Sequence, residues 1–194
     1  MKKLFFVGVF AILVSTLCFA GKGSDNGNGG ADKIGGYVGW PIFGLSYSHE
    51  FNDLVELDLL AGYSRFFLSH RLDFQIGALF TVFDPVLPGL GNQKCPLSLG
   101  PVVGFNVTSV NTILLGTYYS GGISLLLPIR WEMNFGNIPD FNLFFDVAPV
   151  GMNVQFAKTI DVDSEGNRRT KITPAVGYFF RAGIGLRYRI PSKK

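Results

Sequence analysis

Residues 121–135 read GGISLLLPIRWEMNF. The odd positions are all apolar: Ile123, Leu125, Leu127, Ile129, Trp131, Met133 and Phe135. The even positions are Gly122, Ser124, Leu126, Pro128, Arg130, Glu132 and Asn134. Successive side chains of a strand point to opposite faces, so this period of two describes a strand with one greasy face and one polar face.

The same alternation recurs along the chain. Residues 182–190 set Ala182, Ile184, Leu186, Tyr188 and Ile190 against Gly183, Gly185, Arg187 and Arg189, with Arg181 leading. Residues 54–63 set Val55, Leu57, Leu59, Ala61 and Tyr63 against Glu56, Asp58 and Gly62. Residues 67–80 set Leu68, Leu72, Phe74, Ile76 and Ala78 against Ser69, Arg71, Asp73, Gln75 and Gly77. Residues 97–108 set Leu97, Leu99, Val103, Phe105 and Val107 against Ser98, Gly100, Gly104, Asn106 and Thr108. In 141–156 Phe141, Leu143, Phe145 and Val147 oppose Asp146, and the phase flips near Pro149, which predicts a bulge. Residues 34–40 and 43–51 change phase across Pro41-Ile42, which predicts a hairpin; one long strand kinked at Pro41 is the alternative. That makes eight strands. Residues 95–129 carry no charge, yet their glycines, prolines and unbroken alternation favour strands over a membrane helix.

The chain has 194 residues, 47% of them hydrophobic and 16% charged, with 25 glycines. An average protein is about 25% charged and about 7% glycine. Low charge with many aromatics excludes a disordered tail and argues against an ordinary soluble enzyme. Residues 1–20, MKKLFFVGVFAILVSTLCFA, have a basic start, an apolar stretch and a small residue at Ala20, the pattern of a cleaved export signal. A lipid anchor on Cys18 is the alternative, disfavoured by Leu17. Cleavage removes two lysines, so the formal net charge falls from +3 to +1, and a nucleic-acid partner is rejected. Cys95 is then the single cysteine, and no intramolecular disulfide is expected. Residues 21–32, GKGSDNGNGGAD, cannot bury a face and read as a flexible linker. Residues 33–190 form the strand domain, and 191–194 a short basic tail.

A soluble sandwich and a membrane barrel both alternate; they differ in which face is wet. None of the nine lysines falls in an expected strand. The polar faces carry Arg71, Arg130, Arg181, Arg187 and Arg189 with Glu50, Glu56, Asp58, Asp73, Glu132 and Asp146. Five cations nearly cancel six anions, and arginine's planar fork suits a confined, carboxylate-rich interior. Gly35, Gly39, Gly44, Gly62, Gly77, Gly183 and Gly185 lie on the same face and would leave room for those long side chains. Aromatic girdles are expected at both membrane interfaces: Phe51, Trp131, Phe135, Phe141 and Tyr188 near one rim, Trp40 and Tyr63 near the other. The expected fold is therefore an all-β, closed antiparallel up-and-down transmembrane β-barrel of about eight strands. At that size the interior is just wide enough for side chains to fill.

The stretches Gly39-Trp-Pro-Ile-Phe-Gly-Leu-Ser-Tyr-Ser48, Leu127-Pro-Ile-Arg-Trp131, Phe141-Asn-Leu-Phe-Phe-Asp-Val-Ala-Pro149 and Ala182-Gly-Ile-Gly-Leu-Arg-Tyr188 resemble a family of small outer-membrane β-barrels. That family is known mainly from spirochaetes and is similar to the OmpA transmembrane domain. The resemblance covers most of 33–190. It implies an eight-stranded barrel at the cell surface, with no enzymatic activity assigned; some relatives are proposed to bind host proteins through their loops. Gly185, Tyr188 and Ile190 resemble the signal read by the barrel-assembly machinery, but no aromatic ends the chain: Pro191-Ser-Lys-Lys194 follows.

Chemistry-bearing groupings are few. Ser48-His49-Glu50 and Ser69-His70 with Asp73 bring together residue types used by outer-membrane lipid hydrolases. Neighbours on a strand face opposite ways, so Ser48 and His49 cannot meet, and both histidines read as interfacial. Asp161-Val-Asp163-Ser-Glu165-Gly166 resembles half a calcium loop, but its twelfth position is Ile172 rather than glutamate, and 157–171 reads as a charged surface loop. No catalytic residue, cofactor or metal is expected. The expected role is structural or surface interaction through outer segments 109–120 and 157–171, with outer-membrane lipid, the assembly machinery and an extracellular or host protein as partners. A narrow pore, an outer-membrane lipid-modifying enzyme and a secreted soluble β-barrel binding an apolar ligand are the alternatives. With the N-terminus inward, the long connection 83–96 falls on the periplasmic side, where turns are usually short.

Overall fold

The computed structural model describes residues 31–112, 116–162 and 168–191. The export signal, linker residues 21–30 and tail residues 192–194 lie outside them. The strands are β1 (Asp32–Trp40), β2 (Phe43–Asn52), β3 (Val55–Phe66), β4 (Ser69–Phe83), β5 (Val86–Leu87), β6 (Gln93–Lys94), β7 (Leu97–Leu99), β8 (Val102–Thr112), β9 (Gly116–Asn134), β10 (Phe141–Val162), β11 (Arg168–Tyr178) and β12 (Arg181–Arg189). Among the described residues the remaining regular element is a single 3₁₀ turn, Pro88–Leu90.

Every pairing is antiparallel. β1 pairs β2, β2 pairs β3, β3 pairs β4, β4 pairs β8, β8 pairs β9, β9 pairs β10, and β10 pairs β12. β12 then pairs β1 from Lys33↔Arg189 to Trp40↔Ala182. The result is a ring of eight strands. Short β7 continues the line of β8 between β4 and β9, and β11 continues that of β12 along β10. Asp32 and Arg189 mark one end of the ring, called here the terminal end; the turns at 41–42 and 67–68 mark the far end.

Burial is inverted with respect to a water-soluble sheet. Along β9 the apolar Ile123, Leu125, Leu127, Ile129 and Trp131 are 40–50% exposed, whereas Ser124, Arg130, Glu132 and Asn134 are at most 2% exposed. The apolar face thus lines the outside, and the charged face is enclosed. Within the ring sit two small apolar clusters, Tyr37, Ile42, Leu60 and Phe144, and Leu79, Val102, Leu126, Ala148 and Phe179.

The two predicted irregularities are both present. β1 and β2 form a hairpin across Pro41-Ile42, with Val38 opposite Phe43. The register of β9 and β10 shifts between Val147 and Val150, around Pro149, which has no N–H for a ladder.

Two expectations are corrected. Lysines do occur in strands: Lys33 in β1, Lys94 in β6, Lys158 in β10 and Lys171 in β11. Segments 109–120 and 157–171 are largely strand rather than loop, because β8–β9 pairing runs to Thr112↔Gly116 and β10–β11 pairing to Val162↔Arg168. These hairpins rise past the ring; β11 pairs β10 alone, and residues 171–178 are all exposed. Ile172, Pro174, Val176 and Tyr178 do alternate with Lys171, Thr173, Ala175 and Gly177, but with β10 as the sole partner neither set is covered. The long connection 83–96 carries structure of its own. β5 and β6 pair, Gly91 turns the chain at φ 79°, and Gly136 N–H donates to Leu90 at 2.9 Å. A Cβ on Gly91 would stand 3.1 Å from Gly136 Cα, so the two glycines let this connection pack on the neighbouring turn.

Candidate functional site: the charged interior of the ring

The strand pleat aims one residue in two inward, and the inward set is a layered ion-pair network. At the terminal end the Lys33 ammonium lies 2.6 Å from Glu50, 2.6 Å from Glu56 and 2.8 Å from Glu132. Arg187 donates to Glu56 at 3.1 Å, to Ser48 at 2.7 Å and to Asn142, and its other amino group holds Glu132. Arg189 forks onto Glu50 at 3.1 and 3.2 Å. The middle layer centres on Arg130. It holds both oxygens of Asp58, at 2.6 and 2.9 Å, and donates to Asp146 at 2.8 Å. Arg181 shares Asp146 at 2.7 Å and reaches Gln75 across the ring. Toward the far end Arg71 grips Asp73 with two 2.7 Å bonds, followed by the amides of Asn106, Asn153 and Gln155.

Of the ten expected interior residues, Glu56, Asp58, Arg130, Glu132, Asp146, Arg181, Arg187 and Arg189 are linked in one network, and Arg71 and Asp73 form a separate pair toward the far end. Lys33 was not among them. With it, six cations (Lys33, Arg71, Arg130, Arg181, Arg187, Arg189) face six anions (Glu50, Glu56, Asp58, Asp73, Glu132, Asp146), and among the described residues the interior charges balance. The signal was present as the one-anion excess of the strand faces, and as the odd parity that Lys33 shares with Gly35 and Tyr37 opposite outward Ile34 and Val38. Glu50, Glu56 and Glu132 are close enough together to hold a metal ion, but the ammonium of Lys33 already contacts all three.

Two of the inward glycines, Gly183 and Gly185, serve a different end from the expected one. A Cβ on Gly185 would lie 2.2 Å from the Phe144 ring, and one on Gly183 2.5 Å from the Tyr37 ring. The cleared space thus receives aromatics, stacked at 6.1 Å. Arg130 and Arg187 then lie 4.5 and 4.4 Å from the Phe144 centroid, and Arg181 5.8 Å from that of Tyr37. A guanidinium over a ring face is attracted by the ring quadrupole, which binds the apolar cluster to the charged one.

Outward residues complete the picture. Phe51, Trp131, Phe141 and Tyr188 stand at the terminal end, Phe141 edge-on to Tyr188 at 5.6 Å. Phe135 is half-buried just past β9. Trp40 and Tyr63 stand toward the far end, Tyr63 edge-on to Phe43 at 5.5 Å. The Trp131 indole N–H donates to the Cys95 carbonyl at 3.2 Å. Ser48 and Glu50 are inside the ring with Arg187 and Arg189, whereas His49 meets Asp32 at 2.8 Å, as does the Tyr47 hydroxyl at 2.7 Å. Asp73 is likewise inside, and His70 meets Tyr63. The pleat thus divides both serine–histidine–acid groupings. Asp161 to Gly166, the half calcium loop, falls on residues 163–167 and side chains outside the described set.

The class defined here is an all-β chain whose ring of eight antiparallel strands is greasy outside and salt-bridged inside. No protein-family model matches the chain, and no curated protein or solved structure is significantly similar to it.

Proposed function

We propose that the ring is a closed up-and-down β-barrel that spans a bacterial outer membrane, reached by way of a cleaved export signal at residues 1–20. The inverted burial carries this reading: the apolar band is on the outside, and an electroneutral ion-pair network is sealed within. Water penalises a continuous apolar surface of this kind, and monomeric soluble proteins rarely expose more than a few hundred Å² of it. Hydrocarbon favours that surface but cannot satisfy strand N–H and C=O groups, so pairing β12 back onto β1 supports the reading as well.

The role is structural or surface interaction. Both termini face the periplasm, and the hairpins β8–β9 and β10–β11 stand outside the cell as the elements that meet an extracellular or host protein. Side chains that reach across the ring, Arg181 to Gln75 and Arg130 to Asp58, support a filled interior over a narrow pore. Membrane fractionation with gel mobility before and after boiling tests the reading. Detergent-dependent recovery and a heat-modifiable band are expected; recovery in the soluble periplasmic fraction without detergent would overturn it.

A further inference from the structure

The register resolves the outer wall near the far end into rows. Arg65 is opposite His70, and His70 is opposite Ser109. The next row toward the terminal end is Tyr63, Leu72 and Val107, and the one below it Ala61, Phe74 and Phe105. Ala61 is small and its neighbours are large. A groove of about 520 Å³ therefore opens over it, walled by Phe43, Leu45, Tyr63, Phe74 and Phe105. The groove ends beneath the polar row.

That row holds an unusual cation. Arg71, Arg130, Arg181, Arg187 and Arg189 each grip a carboxylate. Among the arginines with described side chains, Arg65 alone holds none, and it is exposed. Beside it the Tyr63 hydroxyl meets Nδ1 of His70 at 2.6 Å. With the hydroxyl donating, the His70 proton sits on Nε2 and is free to donate outward. A guanidinium fork and an imidazole N–H thus stand one row above an apolar slot. Guanidinium matches phosphate geometry with paired hydrogen bonds, and hydrocarbon suits the slot. In a bilayer, phosphate and chain are stacked in this order.

We infer that the far rim carries a site for a single anionic phospholipid, its phosphate held by Arg65 and His70 and one acyl chain laid over Ala61. The inference rests on the membrane reading above. The commitment to a phospholipid, rather than a soluble fatty acid, follows from the groove's continuity with the outward apolar band and its position directly under the rim.

The test uses mature protein in phosphatidylcholine vesicles with a minor fraction of brominated phosphatidylglycerol. The reporter is Ile76→Trp, one row below the groove, in a Trp40→Phe, Trp131→Phe background. Bromine quenches tryptophan at contact. The expected quenching corresponds to about a fivefold preference over the same fraction of brominated phosphatidylcholine, the size of a basic side chain's attraction near a bilayer surface. Arg65→Gln and Ala61→Phe should each abolish the preference, and Lys94→Gln at the opposite end should keep it. Equal quenching by the two lipids, or a preference that survives either Arg65→Gln or Ala61→Phe, overturns the site. Failure of the membrane reading looks different: the protein would not float with the vesicles, and fully brominated phosphatidylcholine would not quench the reporter.

Discussion

Replacing Lys33 by methionine tests the interior network at its tightest point. The ammonium is fully buried and contacts three carboxylates at 2.6–2.8 Å. Methionine keeps most of the chain length and removes the charge. Glu50, Glu56 and Glu132 would then share Arg187 and Arg189, with Arg130 3.6 Å from Glu56, and oxygens of all three lie within 4.8 Å of one another. Removing one partner of a buried ion pair costs about 3–5 kcal/mol, because the other is left buried and uncompensated. Half-buried Lys94, 3.5 Å from Asp84 and 3.6 Å from Asp53 at the surface, is the control; a surface pair contributes about 0–1 kcal/mol. With a denaturant slope near 2 kcal/mol per molar urea, Lys33→Met should lower the unfolding midpoint by about 1.5–2.5 M and Lys94→Met by under about 0.5 M. Adding Glu50→Gln to Lys33→Met should recover part of the loss, since it removes one stranded charge. The assay is urea unfolding in detergent micelles, followed by intrinsic fluorescence and by gel mobility. A Lys33→Met midpoint no lower than that of Lys94→Met would refute the assignment of Lys33 to a sealed interior.

Gly185→Ala drives a methyl into the Phe144 ring and should cost about 1–3 kcal/mol in the same unfolding assay. Gly36→Ala, which meets nothing within 4 Å, should stay within about 0.5 kcal/mol of the parent. Leu125→Arg puts a charge on the outward face of β9; if hydrocarbon covers that face the substitution costs about 2–4 kcal/mol in bilayers, and if water covers it the cost is near zero. Trypsin added to intact cells should cleave at Arg168, Arg169 or Lys171 and spare Lys94; the opposite pattern would reverse the orientation.

Several features needed no coordinates. The alternation of residues 121–135 marks a strand and assigns each side chain to one of two faces, because the pleat has a period of two whatever the strand pairs with. The phase breaks at Pro41 and Pro149 mark a hairpin and a bulge, because proline cannot take part in a ladder from both sides. Nearly balanced arginine and carboxylate on one face mark a place where charges meet each other rather than water. Lys33 escaped notice because it precedes the first clear alternation and sits next to a glycine-rich linker. The length of β10 and β11 was masked by the charges of 158–171, which read as a loop although Ile172, Pro174, Val176 and Tyr178 alternate with Lys171, Thr173, Ala175 and Gly177.

What the chain alone determined is local: where strands begin, which side chains share a face, and that the charged face must be confined. The register of β1 on β12, Lys33↔Arg189 to Trp40↔Ala182, was decided only by the three-dimensional structure, since it depends on curvature and stagger summed over every strand between them. So were the partners within the interior. Asp146 meets Arg130 and Arg181 while Lys33 meets three glutamates, because stagger around the ring brings distant positions to one level. The same stagger places the Phe144 and Tyr37 rings over Gly185 and Gly183, a fit between residues on separate strands that no single-strand pattern encodes.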